Sequence, residues 1–233
     1  MQRPAPLADA TIVFDLDGTL VETAPDLMGT LNVLLAREGI APLSVTEARS
    51  LIGQGAKALL ARGFAAGGRP LAEPQLSRLF DDFIDHYLAH IADESRPFDG
   101  VIAALDRLQS DGARLAICTN KRTDLSIALM SALGLAERFV AIVGADTAPA
   151  PKPDARHLTT AIERAGGRAD RAVMVGDSAS DARAARNAGV PLVLVSFGYT
   201  DVPAADLQPD VLIDHFDALP DACARLLGAS LKV

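Results

Sequence analysis

Cysteine is scarce in this 233-residue chain, which contains only Cys118 and Cys223. Two cysteines are too few for the disulfide framework of a small secreted domain, and their separation fits no metal-binding motif. Long hydrophobic runs are lacking as well, because the apolar stretches at 11–14 and 190–197 fall well short of the roughly 20 residues that a membrane-spanning helix needs. The sequence therefore predicts a cytoplasmic protein with no membrane partner.

Basic residues are outnumbered by acidic ones, 22 Lys and Arg against 30 Asp and Glu, so the formal net charge is −8. A surface with this excess repels polyanions, and nucleic acid is therefore not an expected partner. The motifs Gly-x-x-x-x-Gly-Lys-Ser/Thr, Gly-x-Ser-x-Gly and His-Glu-x-x-His are absent from the sequence. Their absence removes support for a P-loop enzyme, a hydrolase with a nucleophile elbow and a zincin.

The sequence does contain five short apolar runs, each separated from the next by a segment long enough for a helix. Nearly continuous runs of this kind are typical of strands buried on both faces of a parallel sheet. The alternation predicts an α/β fold built on a Rossmann-like, doubly wound parallel sheet. The predicted strands are 10–14, 114–118, 139–143, 172–175 and 191–195.

The interval between the first two predicted strands is about a hundred residues long and shows helical patterns. Apolar residues recur at spacings of three and four in 23–39 and again from Pro74 onward, which predicts two amphipathic helices. A capping-box spacing at its start predicts a further helix at 44–53. We therefore expect two units, an α/β core of residues 1–20 and 98–233 and an all-helical insert of residues 21–97.

Two acidic residues, Asp15 and Asp17, directly follow the first predicted strand, in the sequence Asp-Leu-Asp-Gly-Thr-Leu. Side chains two residues apart at a strand end point to the same side, and parallel sheets bind ligands at their carboxyl ends. Close like charges are costly without a cation or a proton between them, and Mg²⁺ accepts one or two carboxylates together with water and phosphate oxygens. Taken alone, the pair fits an acidic turn with a permissive glycine equally well.

Further polar residues follow other predicted strands. Thr119 and Asn120 come after the second strand and can donate hydrogen bonds to a phosphate oxygen, and Asp177 and Asp181 come after the fourth. Lys152 lies between two prolines, just ahead of a predicted helix. Each of these residues has an ordinary structural explanation on its own, but their convergence on one sheet edge favours a functional site.

These segments resemble, in order, the four motifs of the haloacid dehalogenase-like superfamily, and the resemblance spans nearly the whole chain. It rests on Asp-Leu-Asp-Gly-Thr-Leu, on Thr119, on Lys152 in Pro-Lys-Pro-Asp, and on Val-Gly-Asp-Ser-Ala-Ser-Asp ending at Asp181. The insert after the first motif is similar to a type 1 cap. The resemblance implies a phosphatase that binds a small phosphorylated metabolite and works as a monomer or homodimer.

The resemblance also implies a role for each motif residue. Asp15 is expected to be the nucleophile that forms an aspartyl-phosphate, and Asp17 the general acid and base. Thr119 and Lys152 are expected to stabilise the phosphoryl group. Mg²⁺ is expected to be bound by Asp15, the main-chain carbonyl of Asp17 and Asp177, with Asp181 in support. A second aspartate at position 17 favours phosphate-ester chemistry over dehalogenation.

Within the insert, residues 52–60 resemble the cap segment of the phosphoglycolate phosphatase subgroup, as do residues 195–201 of the core. A helix that starts after Gly53, Gln54 and Gly55 offers main-chain donors to an anion, and Lys57 adds a positive charge, which suits a small carboxylate such as glycolate. These four residues are the candidate substrate-binding residues of the insert. A glycine turn followed by a solvated lysine remains the alternative interpretation.

The predicted function is therefore Mg²⁺-dependent hydrolysis of a small phosphate monoester, with 2-phosphoglycolate as the expected substrate and glycolate and phosphate as products. Other sugar-phosphate phosphatases, a pyrophosphatase and a phosphomutase similar to β-phosphoglucomutase share the core motifs and remain open. A non-catalytic binding module is a further alternative. The intact set of motif residues argues against it, because a binding module needs neither a nucleophile nor an acid and base.

Overall fold

The structure is a computed structural model that describes residues 7–44, 52, 55–200 and 202–229. Its strands are β1 Thr11–Phe14, β2 Val21–Glu22, β3 Arg96–Pro97, β4 Arg114–Cys118, β5 Ala141–Val143, β6 Ala172–Gly176, β7 Leu192–Val195 and β8 Val211–Ile213. Its helices are α1 Ala24–Arg37, α2 Ala56–Ala66, α3 Glu73–Ala89, α4 Val101–Ser110, α5 Thr123–Ala132, α6 Ala155–Arg164, α7 Ala179–Ala188 and α8 Leu219–Ala229. Among the described residues, no helix is long and apolar enough to cross a membrane.

Six strands form one parallel sheet in the order β5-β4-β1-β6-β7-β8. In this sheet β1 is central, with Thr11 paired to Arg114 of β4 on one side and to Ala172 of β6 on the other. The predicted doubly wound α/β fold is therefore confirmed, with all five predicted strands present. The sixth strand, β8, was not predicted because its apolar run is only three residues long.

Successive residues of the central strand face opposite sides of the sheet, as a period of two requires. The side chains of Ile12 and Phe14 pack in one apolar cluster with residues of α4 and α8, whereas Val13 packs on the other side with residues of α6 and α7. All three strand residues are fully buried. A strand enclosed by helices on both faces must be apolar throughout, which explains the continuous run in the sequence.

The helices α1, α2 and α3 enclose a separate apolar cluster, which includes Leu31, Leu60 and Phe83. The helices predicted at 23–39 and from Pro74 onward correspond to α1 and α3. Leu88 departs from the predicted apolar face of α3, because its side chain is half exposed. The helix predicted at 44–53 lies outside the described residues, apart from Ser44 and Ile52.

The chain passes between the sheet and these three helices twice, through β2 and β3. The two short strands pair antiparallel, with Val21 opposite Pro97 and Glu22 opposite Arg96. Just beyond them, the buried carboxylate of Asp26 accepts hydrogen bonds from the main-chain N–H groups of residues 94 and 95 and from the Ser95 hydroxyl at 2.6 Å. Asp26 therefore ties the start of α1 to the returning chain.

We predict that Asp26→Ala destabilises the protein, because three donors to one buried carboxylate lose their acceptor. Leaving buried donors without a partner costs roughly 1–3 kcal/mol, so the free energy of unfolding should fall by about 2–3 kcal/mol. Urea unfolding followed by circular dichroism measures the loss. Asp82→Asn, at an exposed position of α3, should change stability by less than about 0.5 kcal/mol. Equal urea midpoints for Asp26→Ala and wild type would contradict this role of Asp26.

Candidate active site

The carboxyl ends of β1, β4 and β6 bring Asp15, Thr119 and Asp177 to one edge of the sheet, as predicted from the sequence. A cavity of about 630 Å³ lies between this edge and the helices α2 and α3. The predicted site residues that line it are Asp15, Asp17, Gly55, Lys57, Thr119, Asn120 and Lys152. Asp177 and Asp181 are buried, with exposures of only 2 % and 0 %.

The ammonium group of Lys152 lies between two buried carboxylates. Its Nζ is 2.9 Å from Asp15 Oδ1 and 2.6 Å from Asp181 Oδ1, and the lysine side chain is completely buried. Burial disfavours the ammonium ion, but the two carboxylates outweigh this effect and raise the pKa of Lys152 above its ordinary value. Burial also raises the pKa of Asp15, to about 6, despite the opposing effect of Lys152. The lysine is therefore a fixed positive charge beside the candidate nucleophile.

The local turn at the end of β6 explains how Asp181 is held. Asp181 belongs to a capping box at the start of α7, in which its Oδ2 accepts hydrogen bonds from the main-chain N–H and the hydroxyl of Ser178. The same oxygen accepts a bond from the main-chain N–H of Asp177 at 3.2 Å. Both oxygens of Asp181 are thus engaged by protein donors, which suits a supporting role.

Asp177 is held from two sides. Its Oδ1 accepts a hydrogen bond from the Thr19 hydroxyl at 2.8 Å, and its Oδ2 accepts one from the main-chain N–H of Tyr199 at 2.6 Å. A Cβ atom at Gly198 would lie 2.1 Å from Asp177 Cβ, so only glycine permits this close approach. Burial, followed by the nearby charge of Asp181, raises the pKa of Asp177 well above its ordinary value.

Asp15, Asp177 and Asp181 each offer a carboxylate oxygen within 4.8 Å of the others. One lysine cannot neutralise three buried carboxylates, so the cluster favours a further cation. A set of hard oxygen donors suits Mg²⁺ or another hard divalent cation. The residues therefore fit a metal site. The Asp17 side chain lies apart from the cluster and pairs instead with Lys121, at 2.9 Å from Oδ1.

Asn120 has a structural task that the sequence did not reveal. Its carboxamide oxygen accepts a hydrogen bond from the main-chain N–H of Lys152 at 2.9 Å, and its amide nitrogen donates to the Lys152 carbonyl at 3.0 Å. The buried His157 supports the same N–H through Nδ1 at 3.1 Å. The Asn120 side chain therefore positions the loop that carries Lys152, while the Thr119 hydroxyl accepts a bond from the Lys121 N–H at 3.2 Å.

Lys121 and Tyr87 were missed as site residues. The ammonium group of Lys121 is bonded to Asp17 and to the Tyr87 hydroxyl, both at 2.9 Å, and it lies 4.5 Å from the centre of the Tyr87 ring. Burial disfavours the ammonium ion, but Asp17 outweighs this effect and raises the pKa of Lys121. The position of Lys121 beside Thr119 and Asn120 was a usable signal in the sequence. No such signal in the sequence indicated Tyr87 on α3, because 34 residues separate it from Lys121 along the chain.

Tyr199 connects the acidic cluster to the crossing between sheet and helices. Its main chain holds Asp177, while its hydroxyl accepts hydrogen bonds from the main-chain N–H groups of Thr23 and Ala24 at 2.7 and 2.9 Å. The same hydroxyl donates to Glu22 Oε1 at 2.6 Å. A movement of Glu22 in β2 would therefore be transmitted to Tyr199, which in turn contacts Asp177.

The structure describes two of the four candidate substrate-binding residues of the insert, Gly55 and Lys57. Gly53 and Gln54 lie outside the described residues. Gly55 precedes α2 with a φ of +88°, a conformation that favours glycine, and its added Cβ would lie 3.7 Å from the Asn120 carbonyl. Lys57 lies at the cavity wall, but its half-exposed ammonium group pairs with Glu73. The positive charge predicted to reach a substrate thus already has a partner at the surface.

The carboxyl edge of a parallel α/β sheet thus gathers three carboxylates and a buried lysine beside helices α2 and α3, an acidic site whose oxygen donors fit a hard divalent cation. Residues 12–195 match the model of the family described as haloacid dehalogenase-like hydrolase. The chain therefore belongs to the haloacid dehalogenase-like hydrolases, which confirms the resemblance in its motifs.

Individual relatives extend this assignment over nearly the whole chain. A phosphoglycolate phosphatase of Caulobacter vibrioides is 56 % identical over 95 % of this chain and 93 % of its own length. A phosphoglycolate phosphatase of Agrobacterium fabrum is 49 % identical over 94 % and 93 % of the two chains. The crystal structure of "a predicted phosphoglycolate phosphatase" from Haemophilus somnus superposes with a TM-score of 0.85 at 29 % identity, covering 91 % of this chain and 97 % of the other.

We predict that His157 makes stability depend on pH, because burial, aided by the charge of Lys152, lowers its pKa to about 4. The unfolded chain takes up a proton near the ordinary histidine pKa of about 6.5, whereas the folded protein does not until about pH 4. The protein should therefore lose stability as the pH falls from about 6.5 to 4. Melting temperatures across this range should fall more steeply for wild type than for His157→Gln.

Glutamine is a matched replacement for His157, since it can accept from the Lys152 N–H and donate to the Val143 carbonyl that the ring now contacts at 3.2 Å. The carboxylates Asp15 and Asp177 titrate in both proteins, so their contributions cancel in the comparison. Parallel pH curves for the two proteins would show that His157 is not held neutral.

Proposed function

We propose that this hydrolase is a Mg²⁺-dependent phosphatase that converts 2-phosphoglycolate to glycolate and phosphate through an aspartyl-phosphate. The observation that carries the proposal is the placement of Lys152 between Asp15 and Asp181, two members of the carboxylate cluster that Asp177 completes. The names of the two curated relatives support the choice of substrate, since both are phosphoglycolate phosphatases at about half identity or more. We further infer that the enzyme is cytoplasmic and acts as a monomer or homodimer.

In the first step, an Asp15 oxygen attacks phosphorus while the bond from phosphorus to the ester oxygen breaks. Lys152 offsets charge on the phosphoryl oxygens, and the Thr119 hydroxyl is placed to donate to one of them. Asp17 gives its proton to the leaving oxygen, so that glycolate departs as an alcohol. The product of this step is phosphorylated Asp15 with an ionised Asp17.

In the second step, Asp17 removes a proton from water, which attacks the phosphorus of the acyl phosphate. The bond from phosphorus to the Asp15 oxygen breaks, and phosphate leaves with Asp15 restored. Bound Mg²⁺, held by Asp15, the Asp17 carbonyl and Asp177, would supply further neutralisation of phosphoryl charge. Asp181 would support this site by fixing Lys152 and the turn at Asp177.

We propose that residues 21–97 are a cap that closes over the core of residues 1–20 and 98–233. The boundary then falls in the paired strands β2 and β3, which carry both chain crossings. The cavity has walls from both units, since Asp15 and Lys152 belong to the core and Leu59 and Phe83 to the insert. Closure would exclude water from the phosphoryl group until the alcohol has departed.

Replacement of the nucleophile gives the most direct test. We predict that Asp15→Asn lowers the rate of phosphate release from 2-phosphoglycolate by at least about 1,000-fold, because an amide cannot form the acyl phosphate. Its circular dichroism spectrum should match that of wild type. Asp82→Asn, on the exposed face of α3, serves as the charge-matched control with wild-type activity. Substantial turnover by Asp15→Asn would rule out the covalent mechanism.

A panel of phosphate esters assayed for phosphate release with and without Mg²⁺ separates the alternatives. A phosphatase with the proposed specificity releases phosphate fastest from 2-phosphoglycolate and only with Mg²⁺. Faster release of phosphate from a sugar phosphate or from pyrophosphate would show that this compound, and not 2-phosphoglycolate, is the preferred substrate. Interconversion of phosphate isomers with little release would identify a mutase, and no reaction at all would identify a binding module.

We predict that Mg²⁺ stabilises the protein more strongly at pH 7.5 than at pH 5. Burial raises the pKa of Asp15 to about 6, so below this pH a proton competes with the metal for the carboxylate. Thermal melts over a Mg²⁺ titration should show a larger rise in melting temperature at the higher pH. Asp177→Asn should abolish most of this rise. An equal rise at both pH values would contradict metal binding by Asp15.

A further inference from the structure

The cavity contains one buried lysine that the proposed mechanism does not use. Lys152 is already held between Asp15 and Asp181, and Lys57 is half exposed and paired with Glu73. Lys121, by contrast, has a side chain that is only 6 % exposed, and it lines the cavity. A buried ammonium group next to a ligand cavity is a strong recognition element for an anion, because little solvent screens its charge.

The arginines at the cavity wall differ from Lys121 in their surroundings. Arg122 forms a two-pronged contact with Asp124, at 3.1 and 2.7 Å, and about half of its side chain is exposed. Arg183 is exposed and donates from Nε to the carbonyl of Ala179, within its own helix. Their charges are therefore solvated, whereas the charge of Lys121 is buried at the cavity wall.

The position of Lys121 relative to Asp17 places it along the path of the leaving group. Its Nζ is 2.9 and 3.3 Å from the two oxygens of Asp17, the group that protonates the ester oxygen in the proposed mechanism. The ammonium group of Lys121 is therefore hydrogen-bonded directly to Asp17, the side chain that protonates the ester oxygen in the proposed mechanism. The part of a substrate just beyond that oxygen must pass close to Lys121.

The part of the cavity wall contributed by residues 21–97 is mostly apolar, with Lys57 as its charged member. Leu27, Leu59, Phe80, Phe83 and Ile84 line it, and Tyr87 contributes its ring and its hydroxyl. A carboxylate cannot enter such surroundings without a partner of opposite charge. The Tyr87 hydroxyl holds Lys121 at 2.9 Å, so the cation is fixed in place before a ligand arrives.

We propose that Lys121 binds the carboxylate of the substrate, with Tyr87 as its positioning residue. The inference rests on the proposed phosphatase function and narrows its substrate class to phosphate esters whose ester carbon itself bears a carboxylate. In the ligand-free protein, the ammonium group of Lys121 is hydrogen-bonded to Asp17. A substrate carboxylate takes over that contact and leaves Asp17 to face the ester oxygen, so that recognition of the correct substrate also frees the acid and base. This role replaces the one that the sequence suggested for Lys57.

The test compares 2-phosphoglycolate with ethyl phosphate, in which a methyl group replaces the carboxylate. We expect Lys121→Met to lower kcat/KM for 2-phosphoglycolate by about 100-fold or more, as expected for loss of one partner of a buried ion pair. The ratio of the kcat/KM value for 2-phosphoglycolate to the kcat/KM value for ethyl phosphate should also fall by about 100-fold, because any loss that acts through Asp17 affects both esters alike. Tyr87→Phe, which keeps the ring and removes the hydroxyl, should show a smaller selective loss, mainly through a higher KM.

A binding measurement adds a readout that does not depend on turnover. Glycolate should inhibit ethyl phosphate hydrolysis competitively in wild type, and its inhibition constant should rise by about 100-fold in Lys121→Met. Lys121→Gln, which can still bond to Tyr87 and Asp17, serves as the second variant if methionine at this position prevents folding. Melting temperatures establish that each variant is folded.

The outcomes distinguish this inference from the substrate proposal. A wild-type enzyme that hydrolyses ethyl phosphate as efficiently as 2-phosphoglycolate overturns both. A wild-type enzyme that prefers 2-phosphoglycolate, together with a Lys121→Met variant that keeps the preference, overturns the role of Lys121 alone. Equal losses on the two esters also overturn it, because they indicate a general effect on Asp17. If Lys57→Met loses the preference for 2-phosphoglycolate over ethyl phosphate and Lys121→Met keeps it, Lys57 is the residue that recognises the carboxylate.

Discussion

The repulsion among three buried carboxylates at the carboxyl edge of the sheet is the constraint on which the rest of the site depends. Asp15, Asp177 and Asp181 lie close enough that they cannot all be ionised without positive charge between them. Lys152 supplies one charge from within the chain. The remaining imbalance is the physical reason to expect that the site binds a cation, which would lie beside the candidate nucleophile.

The carboxylates repel one another, so the surrounding structure must hold them and Lys152 in place. Hydrogen bonds from neighbouring residues do this. Asn120, just after β4, and His157 of α6 fix the main chain of Lys152, and Tyr199 and Thr19 fix Asp177. Removal of one such partner leaves a buried polar group unsatisfied, which costs more than the bond itself contributes. We therefore regard these residues as positioning residues, whose effects on activity would be transmitted through Lys152 and Asp177.

Among the described residues, two hydrogen-bonded contacts join the core site to the three helices of residues 21–97. The Tyr199 hydroxyl accepts from the main-chain N–H groups of Thr23 and Ala24 at the start of α1, and Lys121 joins Asp17 to Tyr87 of α3. Both contacts involve a residue that also touches the acidic site. Movement of the insert and rearrangement of the site would therefore be coupled, with the Lys121 ammonium group available either to Asp17 or to an anion from the cavity.

The sequence alone predicted five of the six strands of the sheet and the residues at its carboxyl edge, because both depend on local order along the chain. Buried parallel strands are continuous apolar runs, and residues such as Asp15, Thr119 and Asp177 directly follow them, so topology brings them to one edge. The partner of Lys121 and the task of Asn120 could not be predicted, since each depends on how distant segments pack. A residue type and its neighbours in the chain show that a charge exists, whereas only the packed structure decides which opposite charge it meets.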